Sequence, residues 1–201
     1  YDADVCLGPD NLKLVNDVSF TAFVGVGTNN QKYEAYSVSG SDFIVPFLLN
    51  VKNTKNQGSG YSFWEKQINS AYGSAELGFM DYAYLTVTAR NDWFSTLSLK
   101  NKKAPNNDLY TSASLSLVLS DALDLGDTVS FLKLRAGYSQ VAGGANSPYA
   151  LSLSYGIYGQ GHLGASLGNI SGGTIPNSEI NPFEKNETEF GVDLRMFDNK
   201  L

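Results

Sequence analysis

The chain has 201 residues, enough for one large domain or two small ones. Fourteen Lys and Arg against twenty Asp and Glu give a net charge of −6 and a pI near 4.7. That balance argues against nucleic-acid binding, which needs a basic patch to displace counterions from phosphates.

Charged residues make up only 17% of the chain, while Gly (20), Tyr (12) and Phe (11) are plentiful, which suits turns and aromatic girdles better than a helical enzyme. Cys6 stands alone, so no internal disulfide and no metal pattern is expected; it reads as an inert thiol. Tyr1-Asp2-Ala3-Asp4 lacks a basic start and an apolar core, so no signal peptide is read there. The longest apolar run, Phe43-Ile44-Val45-Pro46-Phe47-Leu48-Leu49, is far short of the roughly 20 residues of a spanning helix. A barrel produces no such run, because it crosses with strands.

In chain order, Asn11 to Asp17 reads as polar and turn-like. Val18, Phe20, Ala22, Val24 and Val26 then alternate with Ser19, Thr21, Phe23, Gly25 and Gly27, which predicts a strand. Thr28 to about Phe63 is irregular and Asn-rich, and reads as a long loop with a local hairpin near Lys32 to Ser39. A second strand runs to Phe79, with Ala71, Gly73, Ala75, Leu77 and Phe79 on one side and Ser70, Tyr72, Ser74 and Glu76 on the other. Met80-Asp81 is a tight turn into the most regular stretch of the chain. There Ala83, Leu85, Val87 and Ala89 alternate with Tyr84, Thr86, Thr88 and Arg90.

A polar loop follows, and the chain returns with Ala113, Leu115, Leu117 and Leu119 on one face and Ser112, Ser114 and Ser116 on the other. Asp121 to Asp127 is a short connection. Leu132, Leu134, Ala136 and Tyr138 then alternate with Lys133, Arg135, Gly137 and Ser139. Ala142 to Asn181 is a Gly/Ser/Asn-rich region, whose inner part Tyr149 to Tyr158 reads as strand-like, a candidate hairpin above a membrane. The last strand sets Thr188, Phe190, Val192, Leu194 and Met196 against Glu187, Glu189, Gly191, Asp193 and Arg195, and Phe197 to Lys200 reads as a turn.

A small, mostly uncharged polar face opposite a plain aliphatic one is the pattern of a transmembrane barrel strand, with aliphatics toward lipid. The connections also alternate: short at 11–17, 80–81, 121–130 and 197–200, long at 28–63, 92–108 and 142–185. Outer-membrane barrels sort short periplasmic turns and long external loops to opposite rims in this way. The fold class expected is therefore all-β, an antiparallel transmembrane barrel segment of about six strands. Six cannot close a barrel, whose bacterial examples start at about eight. An open edge in lipid would leave backbone groups unpaired, so a larger barrel is implied.

The stretch Thr88-Ala89-Arg90-Asn91-Asp92-Trp93-Phe94-Ser95-Thr96-Leu97 resembles the ARNDWSSTL signature of SusC/RagA-type TonB-dependent outer-membrane transporters. Tyr110 to Ala122 is similar to that family's YPSVSLSFIFSE strand, with Thr111 in place of the proline. Leu132 to Val141 resembles its KLRASYAQVG, and Asn69-Ser70-Ala71-Tyr72-Gly73 its NSxYG element. Asn181 to Leu201 is similar to its NPxLxxE…xExGxDLxFFxNRL block. The blocks come in family order over residues 64–201.

The resemblance implies that residues 1–201 are part of a plugged barrel of roughly 22 strands, from its C-terminal half. It implies an outer-membrane location in a Gram-negative bacterium, a SusD-like lipoprotein partner, energy from TonB–ExbB–ExbD, and oligosaccharide or peptide cargo. The expected mechanism is ligand-gated import with no enzymatic step. The plug and the TonB box are not read in this sequence. Two other classes compete: a secreted β-sandwich that binds glycans, and a passive porin-like channel.

No cofactor, metal or catalytic group is expected. Gly159-Gln160-Gly161-His162-Leu163-Gly164 matches G-x-G-x-x-G with Glu179 twenty residues on, but Ala165 to Gly173 is too poor a helix to receive a pyrophosphate. His162 is the only histidine, and a glycine-rich loop offers a serine triad little preorganisation. Candidate substrate contacts on the lumen face are Arg90, Lys133, Arg135, Glu187, Glu189, Asp193 and Arg195. The competing reading is that they pair across strands, and that Trp93 sits in an aromatic girdle. Tyr149, Tyr155 and Tyr158 are candidate sugar-stacking residues in the external loop.

Overall fold

The computed structural model describes residues 1–9, 12–15, 17–100, 102–123, 125–126, 128–159 and 161–197, without the side chains of 14, 15, 158 and 162. The alternating stretches all form strands of one antiparallel sheet. Its members in chain order are β1 (Asp2–Leu7), β2 (Leu12–Val15), β3 (Val18–Phe43), β4 (Thr54–Phe79), β5 (Ala83–Phe94), β6 (Asn107–Val118), β7 (Val129–Gly143) and β10 (Phe183–Met196). A separate ribbon pairs β8 (Tyr155–Tyr158) with β9 (Leu167–Ile170). The lateral order is β1-β3-β4-β5-β6-β7-β10, with β2 also on β3, so from β3 to β7 neighbours in sequence are neighbours in space.

Both β1 and β2 pair antiparallel with β3, one against Val24–Asn29 and the other against Val18–Phe20. They are two runs of one strand, interrupted where the Ala22 amide donates to Pro9 O at 3.2 Å. At Gly8 the backbones approach so closely that any Cβ would strike the Ala22 carbonyl. The sheet is therefore one strand wider than the six expected. Asn11 to Asp17, read as a turn, contains strand β2; residues 11 and 16 lie outside the described set.

A larger correction concerns Thr28 to Phe63. This is no loop: β3 and β4 stay paired in unbroken register from Val18↔Phe79 to Ser41↔Asn56. The ribbon continues roughly 45 Å past the end of β1, at about 3.4 Å per residue. Both of its faces meet water, so no alternation of polar and apolar residues marks it. Cross-strand ring pairs stiffen it instead: Tyr33 on Trp64 at 5.5 Å and Tyr36 against Tyr61 at 5.0 Å. Its tip is tied by Asn53, which accepts from the Val45 amide (3.0 Å) and donates to the Val45 and Leu48 carbonyls (both 2.8 Å).

The turns sort by end. At one end Met80 and Asp81, with φ of 49° and 57°, form the two centre residues of a hairpin closed by Tyr82 N to Phe79 O at 3.2 Å. Positive φ at both centres is the type I′ geometry, whose twist matches that of the strands. The short helix α1 (Leu119–Ala122) lies at the same end. The opposite end carries the β3–β4 extension, the 95–106 loop and the long 144–182 connection. Tyr149 to Ser154, read as strand-like, is turn and irregular structure; only Tyr155–Tyr158 pairs. Of the turn read at Phe197 to Lys200, only Phe197 lies within the described residues.

Register places Val26, Ala71 and Leu109, then Ala22, Ala75, Val87 and Ala113, then Phe20, Leu77, Leu85, Leu115 and Phe190 in three rows of one face. No second layer covers them: Val24 is 68% exposed, Val192 65% and Phe190 80%. The buried apolar side chains among the described residues are Phe94, Leu97 and Leu151, all at the long-loop end. A sandwich would bury its aliphatic face under a second sheet. Here that face is bare, the sheet is curled, and the architecture is a wall of a larger barrel.

Candidate functional site

The other face gathers the polar side chains in rows. Asp4, Gly27, Ser70, Asp92 and Asp108 are aligned across β1, β3, β4, β5 and β6. In the next row lie Cys6, Gly25, Tyr72, Arg90 and Tyr110. Arg90 Nε pairs with Asp92 Oδ1 at 2.9 Å, and an Arg90 Nη donates to Ser70 Oγ at 2.7 Å. Tyr110 Oη donates to Asp92 Oδ2 at 2.6 Å. Asp92 is 6% exposed and has a partner on each oxygen, so its burial is compensated.

The Arg90 guanidinium also lies 5.2 Å from the Tyr72 ring, whose hydroxyl donates to Asp4 Oδ1 at 3.2 Å. Gly25 makes room for that ring; a Cβ there would sit 2.7 Å from it. The stretch Arg90-Asn91-Asp92-Trp93 thus sends Arg90 and Asp92 into a polar belt that crosses several strands. Asn91 and Trp93 point to the aliphatic side, where Trp93 is 40% exposed.

A second cluster sits lower on the same face, between β6, β7 and β10. Arg135 pairs with Asp193 at 3.3 Å. Ser116, Arg135 and Gly191 share one row, and Ser114, Gly137 and Glu189 the next. These residues and Lys133 line a notch of about 260 Å³. Among the described residues neither Lys133 nor Glu189 makes an ion pair.

The other candidates from the sequence fall as follows. Glu187 is 3.8 Å from Lys185 Nζ, and Arg195 lies over the Phe131 ring at 5.1 Å. Tyr149 is in a turn with φ of 58°, and Tyr155 is 64% exposed on β8. Tyr158 has its backbone in β8, while its side chain, like that of His162, is outside the described set. The structure does not bring Tyr149 and Tyr155 into a ring pair among the described residues. The glycine-rich 159–164 segment leads into strand β9, so the helix that a dinucleotide site needs does not follow it; residue 160 lies outside the described set.

Sequence reasoning missed the exposed aromatics of the β3–β4 ribbon. There Glu34 accepts from Tyr36 Oη (2.7 Å) and Tyr61 Oη (3.2 Å), and these donors, with Lys32 at 3.5 Å, hold its carboxyl below the usual range. Every second residue from Tyr33 to Tyr61 could have been tested for cross-strand pairing, but no apolar face announces it. At the rim, Lys102 Nζ donates to the Leu97 and Pro105 carbonyls at 3.0 and 3.1 Å, and burial lowers its pKa against the pull of Glu179.

No family model matches this sequence, and no curated protein does. Solved structures match its fold. The RagAB peptide transporter superposes with a TM-score of 0.81 at 16% identity, over 99% of this chain and 22% of that one. The RagAB peptide importer matches in its open-open state (TM-score 0.77, 17% identity, 98% of this chain, 21% of that one). Its closed-closed state gives 0.76 at the same identity and coverage. The chain spans about a fifth of the length of the chains it matches, and its fold is that of a segment of their barrel.

Proposed function

We propose that residues 1–201 are one wall segment of an outer-membrane, TonB-dependent importer in a Gram-negative bacterium, and that the polar face lines its lumen. The observation that carries this reading is the two-faced single sheet. Its aliphatic face is bare of protein cover, and its polar face holds Arg90, Asp92, Arg135 and Asp193. Lipid satisfies the first face, and an occupied lumen the second. With all short turns at one end and all long connections at the other, the sheet has a periplasmic rim and an external rim.

Oligopeptide is the cargo class we favour over oligosaccharide, because the structures that share the fold are of a peptide importer. A SusD-like lipoprotein would cover the external rim, and TonB–ExbB–ExbD would supply the energy. The segment contributes binding and shape, with no covalent chemistry. A passive porin-like channel is the second reading, since it too needs such a wall.

The deciding experiment is uptake of a labelled oligopeptide by cells expressing the full-length protein, with and without tonB. TonB-dependent uptake is the expected result. Uptake that persists at the same rate without TonB assigns the channel reading, and uptake of oligosaccharide alone removes the peptide assignment.

A further inference from the structure

We propose that the notch between β6, β7 and β10 is a carboxylate-binding subsite, with Lys133 as its principal cation. The proposal rests on the importer reading and names the chemistry of one place within it. Gly137 and Gly191 carry no side chain at the centre of the polar face, so the floor drops between Ser114 and Glu189 and leaves about 260 Å³. The Arg135 guanidinium lies over Gly191, where a Cβ would sit 3.1 Å from it.

Two observations give the notch its chemistry. Lys133 is half-buried and, among the described residues, makes no ion pair. Its in-register neighbour Asp193 is engaged by Arg135 through both oxygens, at 3.3 and 3.4 Å. An ammonium ion therefore borders the cavity with no acceptor of its own. A carboxylate supplies one, and Arg135 adds positive potential beside it. Exposed Glu189 on the far side suits an ammonium or amide N–H attached to the same molecule.

Such a carboxylate has two sources with the same chemistry: the C-terminus or acidic side chain of cargo peptide, or an acidic residue of a segment of the transporter that fills the lumen. The test uses the full-length transporter in detergent. Calorimetry measures binding of one oligopeptide with a free C-terminus and of the same peptide amidated, to wild type and Lys133→Gln. A cargo site gives a preference for the free acid of about tenfold in the wild type. Lys133→Gln abolishes that preference. A site for the protein's own segment gives equal binding of both peptides in every variant. Amide exchange in the lumen-filling segment then rises about tenfold in Lys133→Gln and returns to normal in Lys133→Arg. Equal peptide binding together with unchanged exchange in Lys133→Gln overturns the proposal. A wild type that binds neither peptide counts against the importer reading, while the exchange comparison still decides the notch.

Discussion

Tyr110 donates to Asp92 Oδ2 at 2.6 Å across the β5–β6 ladder, while the other oxygen of the same carboxylate holds Arg90 at 2.9 Å. One buried acid therefore ties two strands and compensates a cation that would otherwise stand alone on the polar face. Asp92→Ala is expected to destabilise the barrel by about 2 kcal/mol, because Arg90 and Tyr110 both lose a charged acceptor. Tyr110→Phe removes one bond and should cost about 1 kcal/mol. Denaturant unfolding of the full-length protein in detergent measures both, and equal midpoints for wild type and Asp92→Ala would show the belt to be ornamental.

The belt was half legible from the chain. Strict alternation from Ala83 to Arg90 put Arg90 on the polar face, and nothing but the register with β6 could reveal that Asp92 meets Tyr110 from the neighbouring strand. Asp2-Ala3-Asp4-Val5-Cys6-Leu7 carried the same period-two signal, with Asp2, Asp4 and Cys6 inward, yet six residues beside a chain end gave it little weight. Residues 28–63 were illegible for a physical reason. A ribbon wetted on both faces has no buried side, so its strands are written in backbone pairing and in ring pairs such as Tyr33 with Trp64 rather than in hydropathy.

Asn53 closes the tip of that ribbon with three hydrogen bonds to backbone, and its side chain is nearly buried. Asn53→Ala leaves the Val45 amide and the two carbonyls to find water, at a local cost of about 2 kcal/mol. Amide exchange at residues 44–53 should accelerate roughly 30-fold, while exchange in the 18–29 part of β3 stays as it was. Acceleration along the whole ribbon would mean that the tip also holds the strands together.

The ribbon should respond to acid through Glu34. Its folded-state pKa is depressed first by the Tyr36 hydroxyl, then by the Tyr61 hydroxyl, with Lys32 adding to the effect. A depressed carboxyl contributes stability that is present above its unfolded pKa and is lost as pH falls through the lower folded value. The Tyr36–Tyr61 contact should accordingly loosen as pH falls below the ordinary glutamate range, visible in the tyrosine ring signals of an NMR titration. Glu34→Gln should remove this pH dependence. An identical titration of the variant would assign the acid response to another group.

Gly144 marks where the long connection rests on the rim. A Cβ there would stand 2.8 Å from Phe94 Cγ and from Thr96 Oγ1, and Phe94 is only 3% exposed, so the ring has little room to yield. Gly144→Val is expected to lift the loop and cost about 2 kcal/mol of local packing. Leu97→Ala attacks the same rim from the other side: the side chain is fully buried, and its removal should cost about 3 kcal/mol. Both variants should make residues 95–106 and 144–153 sensitive to protease at unchanged digestion of the sheet. If Gly144→Val exposes the 144–153 segment alone and Leu97→Ala the 95–106 segment alone, the two loops are anchored separately. Joint exposure by either change means that they form one packed unit at the long-loop end of β5, β6 and β7.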